Sequence, residues 1–219
     1  MSDWSDYQKV FCQRAHQLLA WAYADVRHRL NSDMNEPVIT GLLSEAIDVR
    51  LQSPDTPETY QHYHVDDQPP VSPHGEAGKN RLLLDIRIGT SDLRPNPRFI
   101  FEAKRLKTGG FPIGKYTGEE GMGAFLSGDY GKGHPEAAMI GLVQNKDVSY
   151  WHGELHRSFE QDGGSLKIQR SLSSISIISD IKDELVSVHL RHDVSTIHIF
   201  HVFLICTPIT GTVTNLPSE

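Results

Sequence analysis

Residues 81–107 read RLLLDIRIGTSDLRPNPRFIFEAKRLK. Leu82, Leu83, Leu84, Ile86 and Ile88 surround Asp85, while Phe99, Ile100 and Phe101 run straight into Glu102, Ala103 and Lys104. Two apolar runs separated by an Asn- and Pro-containing segment predict two strands joined by a turn. Asp85 falls in the middle of the first strand, and Glu102, Ala103 and Lys104 fall at the end of the second. Both carboxylates would be half buried there. Burying an ionised carboxylate is costly unless a cation answers it, and a divalent metal favours two carboxylates at once.

Residues two apart on a strand share a face, so Glu102 and Lys104 project to the same side of the sheet. If the neighbouring strand sets Asp85 opposite, two carboxylates and one ammonium meet at roughly the 5 Å spacing of cross-strand neighbours. The chemistry this suits is metal-assisted phosphodiester hydrolysis. Asp85, Glu102 and the backbone carbonyl of Ala103 are hard oxygen ligands for Mg2+, with Mn2+ able to substitute. Lys104 would orient or deprotonate the attacking water and offset the charge that builds on the phosphorus centre.

Asp85, then sixteen residues, then Glu102-Ala103-Lys104 between apolar strands resembles the PD-(D/E)xK, or restriction-endonuclease-like, nuclease superfamily. The proline of the family's name is missing, since Leu84 precedes Asp85. The resemblance covers about residues 36–144. It implies an α/β restriction-endonuclease-like core, a mixed central sheet flanked by helices on both faces, and Mg2+-dependent cleavage of nucleic acid, DNA above all. A prokaryotic restriction or anti-phage defence setting is also what it implies. The rival reading is a nuclease-fold binding or assembly subunit with weak or no catalysis of its own.

The family commonly draws a further glutamate from the helix before the hairpin. Glu36-Pro37 opens such a helix, with proline in its first turn and Val38, Ile39, Leu42, Leu43, Ala46 and Ile47 as its apolar stripe. Glu36 and Glu45 are nine positions apart and nearly opposite on the helical wheel, so at most one can face the site. The run E-x-x-I-T-x-x-L looks like the family's glutamate-bearing segment and points to Glu36. The candidate catalytic set is therefore Glu36, Asp85, Glu102 and Lys104.

Elsewhere the pattern supplies scaffold. Tyr7, Val10, Phe11, Ala15, Leu18, Leu19, Ala22, Val26 and Leu30 recur at helical spacing and predict an amphipathic helix over residues 4–30, with His16 and His28 as surface or satisfied histidines. Residues 60–66 predict an edge strand, and 67–80 a Pro/Gly/Ser-containing loop. His62, His64 and His74 have no ligand geometry and are assigned no role. Residues 119–127 resemble the short helix that follows the family's hairpin. Ala124 stands there where related sequences place a basic residue, and Tyr116 and Tyr130 either stack on bases or pack. Residues 137–144 predict a buried strand parallel to the E-x-K strand, with Gln144 able to approach the site from its end. Residues 148–161 predict a helix, and 185–191 with 197–205 a hairpin extending the sheet. His189, Arg191 and His201 there are either phosphate ligands or structural.

The 219 residues, 38% hydrophobic, suit one domain: a helix over 1–35, a catalytic core over 36–144, and a C-terminal helix and sheet extension over 145–219. Cys12 and Cys206 have no zinc or disulfide spacing, and no apolar run is long enough for a bilayer, so a soluble protein of the reducing cytoplasm with no membrane partner is expected. A net charge of -7 argues against a protein that coats polyanions. Arg81, Arg87, Arg94, Arg98, Lys104, Arg105, Lys107 and Lys115 nevertheless concentrate in sequence around the proposed site. With so few cations, a homo-oligomer or a larger defence complex is the expected working form.

Overall fold

The computed structural model describes residues 2–71, 82–92 and 96–208. A long amphipathic helix, α1 (Ser2–Val26), opens the chain and ends in a 3-10 turn, Arg27–Arg29. A second helix, α2 (Glu36–Gln52), packs beside it. Its buried face is Ile39, Thr40, Leu43, Ser44 and Ile47, while Val38 is half exposed. The predicted stripe is thus rotated by one position toward the polar Thr40 and Ser44, which 3.6-residue periodicity places on the same face as Ile39, Leu43 and Ile47.

After the short edge strand β1 (Tyr63–Asp67) come two residues each of β2 (Pro70–Val71) and β3 (Leu82–Leu83), which among the described residues pair with each other. Then follow β4 (Ile86–Thr90) and β5 (Arg98–Leu106), antiparallel partners. Asp85 was predicted inside one continuous strand. It lies instead at the bend where the chain leaves the β2–β3 ribbon and enters the main sheet. Residues 72–81 of the predicted loop and strand, with His74 and Arg81, and residues 93–95, with Arg94, lie outside the described residues.

The chain continues through α3 (Ile113–Thr117), a π-type turn over Glu119–Gly123, and α4 (Ala124–Ser127). The single predicted helix over 119–127 is therefore broken. At Gly121 the backbone leaves helical geometry (φ -118°, ψ -116°), and a Cβ there would collide with the carbonyl of Tyr116. Strand β6 (Glu136–Val143) runs parallel to β5, as predicted. Helix α5 (Val148–Asp162) starts at an Asp147 cap whose carboxylate accepts from the Tyr150 amide at 2.7 Å. The meander β7 (Ile168–Ile175), β8 (Glu184–Leu190), β9 (Thr196–Ile205) completes the sheet.

The result is a seven-stranded mixed sheet in the order β1-β4-β5-β6-β9-β8-β7, with β5, β6 and β9 mutually parallel. Alternation along the central strands feeds two cores. Phe99, Phe101, Ala138, Ile140, Leu142, Val202 and Leu204 pack under α1 and α2. Ile100, Leu106, Met139, Val143 and Phe203 pack under α3 to α5, against Phe125, Trp151, Leu155 and Phe159. Helices therefore cover both faces, as central strands that are apolar on both sides require. Each fully buried aliphatic or aromatic side chain contributes roughly 1.5–3 kcal/mol.

Several polar groups inside these cores are paired across elements. His16 meets Glu184 at 3.0 Å, tying α1 to β8. Opposite, a wire of fixed polarity crosses the second core. The Leu166 carbonyl can only accept, so His189 Nδ1 donates to it at 2.7 Å and His189 Nε2 accepts from Ser187 at 2.7 Å. Ser187 then accepts from His201 Nε2 at 2.8 Å, and His201 Nδ1 accepts from Tyr116 at 3.0 Å. With Arg191 also bonded internally, His189, Arg191 and His201 are structural, which settles the alternative left open by the sequence. Among the described residues, no helix is long and apolar enough to cross a membrane.

Candidate functional site

Strand β5 pairs with β4 only as far as Ile86↔Phe101. Beyond that register the partner turns away: Leu84 donates its amide to Pro69 O at 3.2 Å, and Gln68 donates to Asp85 O at 3.2 Å. This leaves one edge of β5 without a strand over its last five residues. Two carboxylates take the place of the missing carbonyls. Ala103 N donates to Asp85 Oδ2 at 2.7 Å, and Arg105 N donates to Glu36 Oε2 at 3.0 Å. The amide and carbonyl of one strand residue point to the same side, so the Ala103 carbonyl also faces this opening.

Lys104 and Glu102 project from the same face of β5, as the period-two argument requires. Lys104 Nζ donates to Glu102 Oε1 at 2.7 Å and to Glu36 Oε1 at 3.1 Å. All four predicted catalytic residues are thus brought together at the place where β4 and β5 part. Glu45 is exposed farther along α2 and takes no part.

Glu36 owes its position to a pinned loop. Gln144 donates to Met34 O at 2.7 Å, Arg105 donates to Asn35 Oδ1 at 3.2 Å, and Lys107 donates to Ser32 O at 3.0 Å. The Arg105 guanidinium also lies over the Phe111 ring at 3.5 Å. Gln144 therefore serves the site indirectly, by holding the residues that lead into α2. The clamp by backbone amides and carbonyls was not foreseen, because main-chain groups leave no residue-type signal.

Three carboxylates face one ammonium in a largely buried space. Burial pushes the Asp85 carboxyl up to about 6, against the Ala103 amide and Lys104, which pull it down. Burial, then the nearby Asp85 charge, drives Glu102 well above the usual carboxylate range. Burial alone would lower Lys104, but Glu102 and Glu36 together outweigh it and hold the ammonium protonated. A lysine so held is a poor base. Its suitable work is to orient and to neutralise charge.

A divalent cation fits this chemistry. Glu102 is 3% exposed, and its Oε2 is buried without a hydrogen-bond partner. A raised carboxyl is a proton held where a cation would sit. Among the described residues, no group of three or more His, Cys, Asp or Glu side chains is spaced to hold a metal. The available set is the smaller one of Asp85, Glu102 and the Ala103 carbonyl, leaving positions for water and substrate oxygen, as suits Mg2+. Both Glu36 oxygens are already engaged by Lys104 and Arg105.

Among the described residues, several of the basic side chains that cluster in sequence are engaged internally. Arg87 pairs with Asp66 at 2.9 Å, Lys107 pairs with Asp33 at 3.2 Å, and Arg105 is taken by the Met34–Asn35 backbone and side chain. Arg98 begins β5, six residues from Lys104 and so roughly 20 Å away along the strand. Lys115 is exposed on α3. Tyr116 and Tyr130 are packed, at 0% and 7% exposure, and do not present faces for base stacking. No family model, no curated protein and no solved structure matches the chain.

Proposed function

We propose that the protein is a Mg2+-dependent nuclease of the PD-(D/E)xK kind, with a restriction-endonuclease-like core, that hydrolyses phosphodiester bonds in DNA. The observation that carries this reading is the meeting of Asp85, Glu102 and Lys104 at the parting of β4 and β5, with a buried Glu102 oxygen left without a partner. Asp85, Glu102 and the Ala103 carbonyl would hold the metal, Mg2+ or Mn2+. When bound, the ion would polarise the scissile phosphate and lower the pKa of a water. Lys104 holds a proton on Nζ, orients the attacking water and stabilises the charge that grows on the phosphate oxygens. Glu36 fixes Lys104 by accepting from Nζ while its other oxygen is tied to Arg105 N. The test is cleavage of linear, circular and single-stranded DNA and of RNA with Mg2+, Mn2+ or EDTA.

One observation favours a second reading, a nuclease-fold subunit with weak autonomous catalysis. The chain carries a net charge of -7, and Arg87, Arg105 and Lys107 beside the site are all engaged internally. Unaided affinity for a polyanion is then low. A second copy of the chain, or a partner in a defence complex that delivers DNA, would supply the missing cationic surface. Cleavage at physiological salt by a purified monomer would exclude this second reading.

A further inference from the structure

The backbone that carries Asp85 lies between two ladders, the β1–β4 pair that ends at Asp67↔Ile86 and the β2–β3 pair that includes Pro70↔Leu83, and between them it is held by single hydrogen bonds. Two come from the β1 side, Leu84 N to Pro69 O and Gln68 N to Asp85 O, both 3.2 Å. The third comes from the opposite side. We propose that Tyr130 is a positioning residue for the Asp85 carboxylate, acting through the hydrogen bond that its hydroxyl donates to the Leu83 carbonyl at 3.1 Å. This rests on the metal-site reading above.

Tyr130 is itself held rigidly enough to do this. Its amide donates to Ala124 O at 2.9 Å, and its ring meets Phe125 edge-on with centroids 5.8 Å apart. Arg191, 2% exposed, donates Nε to Phe125 O at 3.0 Å and Nη2 to Gly131 O at 2.9 Å, clamping the segment on either side of Tyr130 to the end of β8. The contact sequence runs from Arg191 through the 125–131 segment to Tyr130, Leu83 and the Asp85 bend. Burial, then the Glu102 charge, raises the phenol above its usual range, so the hydroxyl remains a neutral donor. Outer partners that orient metal ligands are worth about 10–100-fold in metal affinity when removed. Tyr130 acts through the ligand's backbone, so the lower end applies.

The test compares wild type, Tyr130→Phe and Tyr116→Phe by calorimetric titration with MnCl2 and by thermal denaturation without metal. Tyr116 is the control, because its buried hydroxyl reaches His201 and Met139 O and has no link to Asp85. Tyr130→Phe keeps the ring and its packing. It is expected to weaken Mn2+ binding about tenfold while leaving the metal-free Tm within about 2 °C. The Mn2+ needed for half-maximal cleavage should rise in proportion, with the rate at saturating Mn2+ little changed. Tyr116→Phe is expected to lower Tm and leave Mn2+ affinity as in wild type. Equal Mn2+ affinity in Tyr130→Phe and wild type, or equal weakening by both variants, overturns the positioning role alone. Absence of Mn2+ binding by wild type overturns the metal-site reading and this inference with it.

Discussion

Ala103 donates its backbone amide to Oδ2 of Asp85 at 2.7 Å, where β4 would have offered a carbonyl had it kept its register. The bond serves two ends. It caps an open strand edge, and it fixes one oxygen of a carboxylate whose other neighbours are Glu102 and Lys104. An asparagine can still accept that amide. Asp85→Asn should therefore leave the fold intact and remove a buried negative charge from beside Glu102, making the metal-free protein as stable as wild type or more so at pH 7.5. Mg2+ and Mn2+ should no longer raise its Tm. A Tm loss of several degrees in the metal-free variant would show that the charge is structural.

The raised carboxyl makes stability depend on pH in a defined direction. Asp85 moves from an ordinary 3.8 to about 6, so between those values the folded state binds more protons than the unfolded one. Its contribution is fully present below the unfolded value and is lost as pH rises through about 6. Metal-free Tm should therefore fall across this window, apart from other groups, and the fall should be smaller in Asp85→Asn. Mg2+ bound at Asp85 would replace the proton, so stabilisation by Mg2+ should be greater at pH 8 than at pH 5. Titrations in buffers of different ionisation enthalpy should show proton release near pH 6.

Lys104→Ala should lower turnover by about 100-fold or more, the lower end of what electrostatic or general-base groups supply. Its affinity for DNA should change little. Single-turnover rates beside equilibrium binding separate the two quantities. Normal cleavage with much weaker binding would make Lys104 a phosphate anchor.

Glu36 accepts from Lys104 with one oxygen and from the Arg105 amide with the other, so both oxygens are committed to holding protein groups in place. Glu36→Gln should thus slow turnover by about tenfold through a less well held Lys104, with Mn2+ affinity within about twofold of wild type. Glu45→Gln, exposed on the same helix, should change neither. Loss of Mn2+ binding in Glu36→Gln would reassign Glu36 as a ligand.

Strong periodicity made the central elements legible in sequence. The parallel pair β5–β6, the helix α5 and the β8–β9 hairpin follow from apolar runs that tertiary packing had no reason to override. Strand β7 was not legible. It lies at the sheet's edge with Ser171, Ser173 and Ser174 among its residues, so burial imposed no apolar alternation on it. The bend at Asp85 was hidden for the opposite reason. Leu82, Leu83, Leu84, Ile86 and Ile88 are equally apolar, and hydropathy does not reveal that β3 pairs with β2 rather than β5. Glu36 was reached through a motif resemblance, and its clamp by Arg105 N could not be, since any residue has that amide. The engagement of Arg87 and Lys107 was not legible, because sequence proximity says nothing of partners such as Asp66 and Asp33.

The central claim is that Asp85, Glu102 and Lys104 form one metal-dependent hydrolytic centre. The most direct measurement is cleavage of linear and circular DNA by wild type and Asp85→Asn, each with MgCl2, MnCl2 or EDTA and, in parallel, with any copurifying partner retained. The expected result is cleavage by wild type in Mg2+ or Mn2+, none in EDTA, and none by Asp85→Asn in any condition while its fold persists. Full cleavage in EDTA, or by Asp85→Asn, would contradict the account.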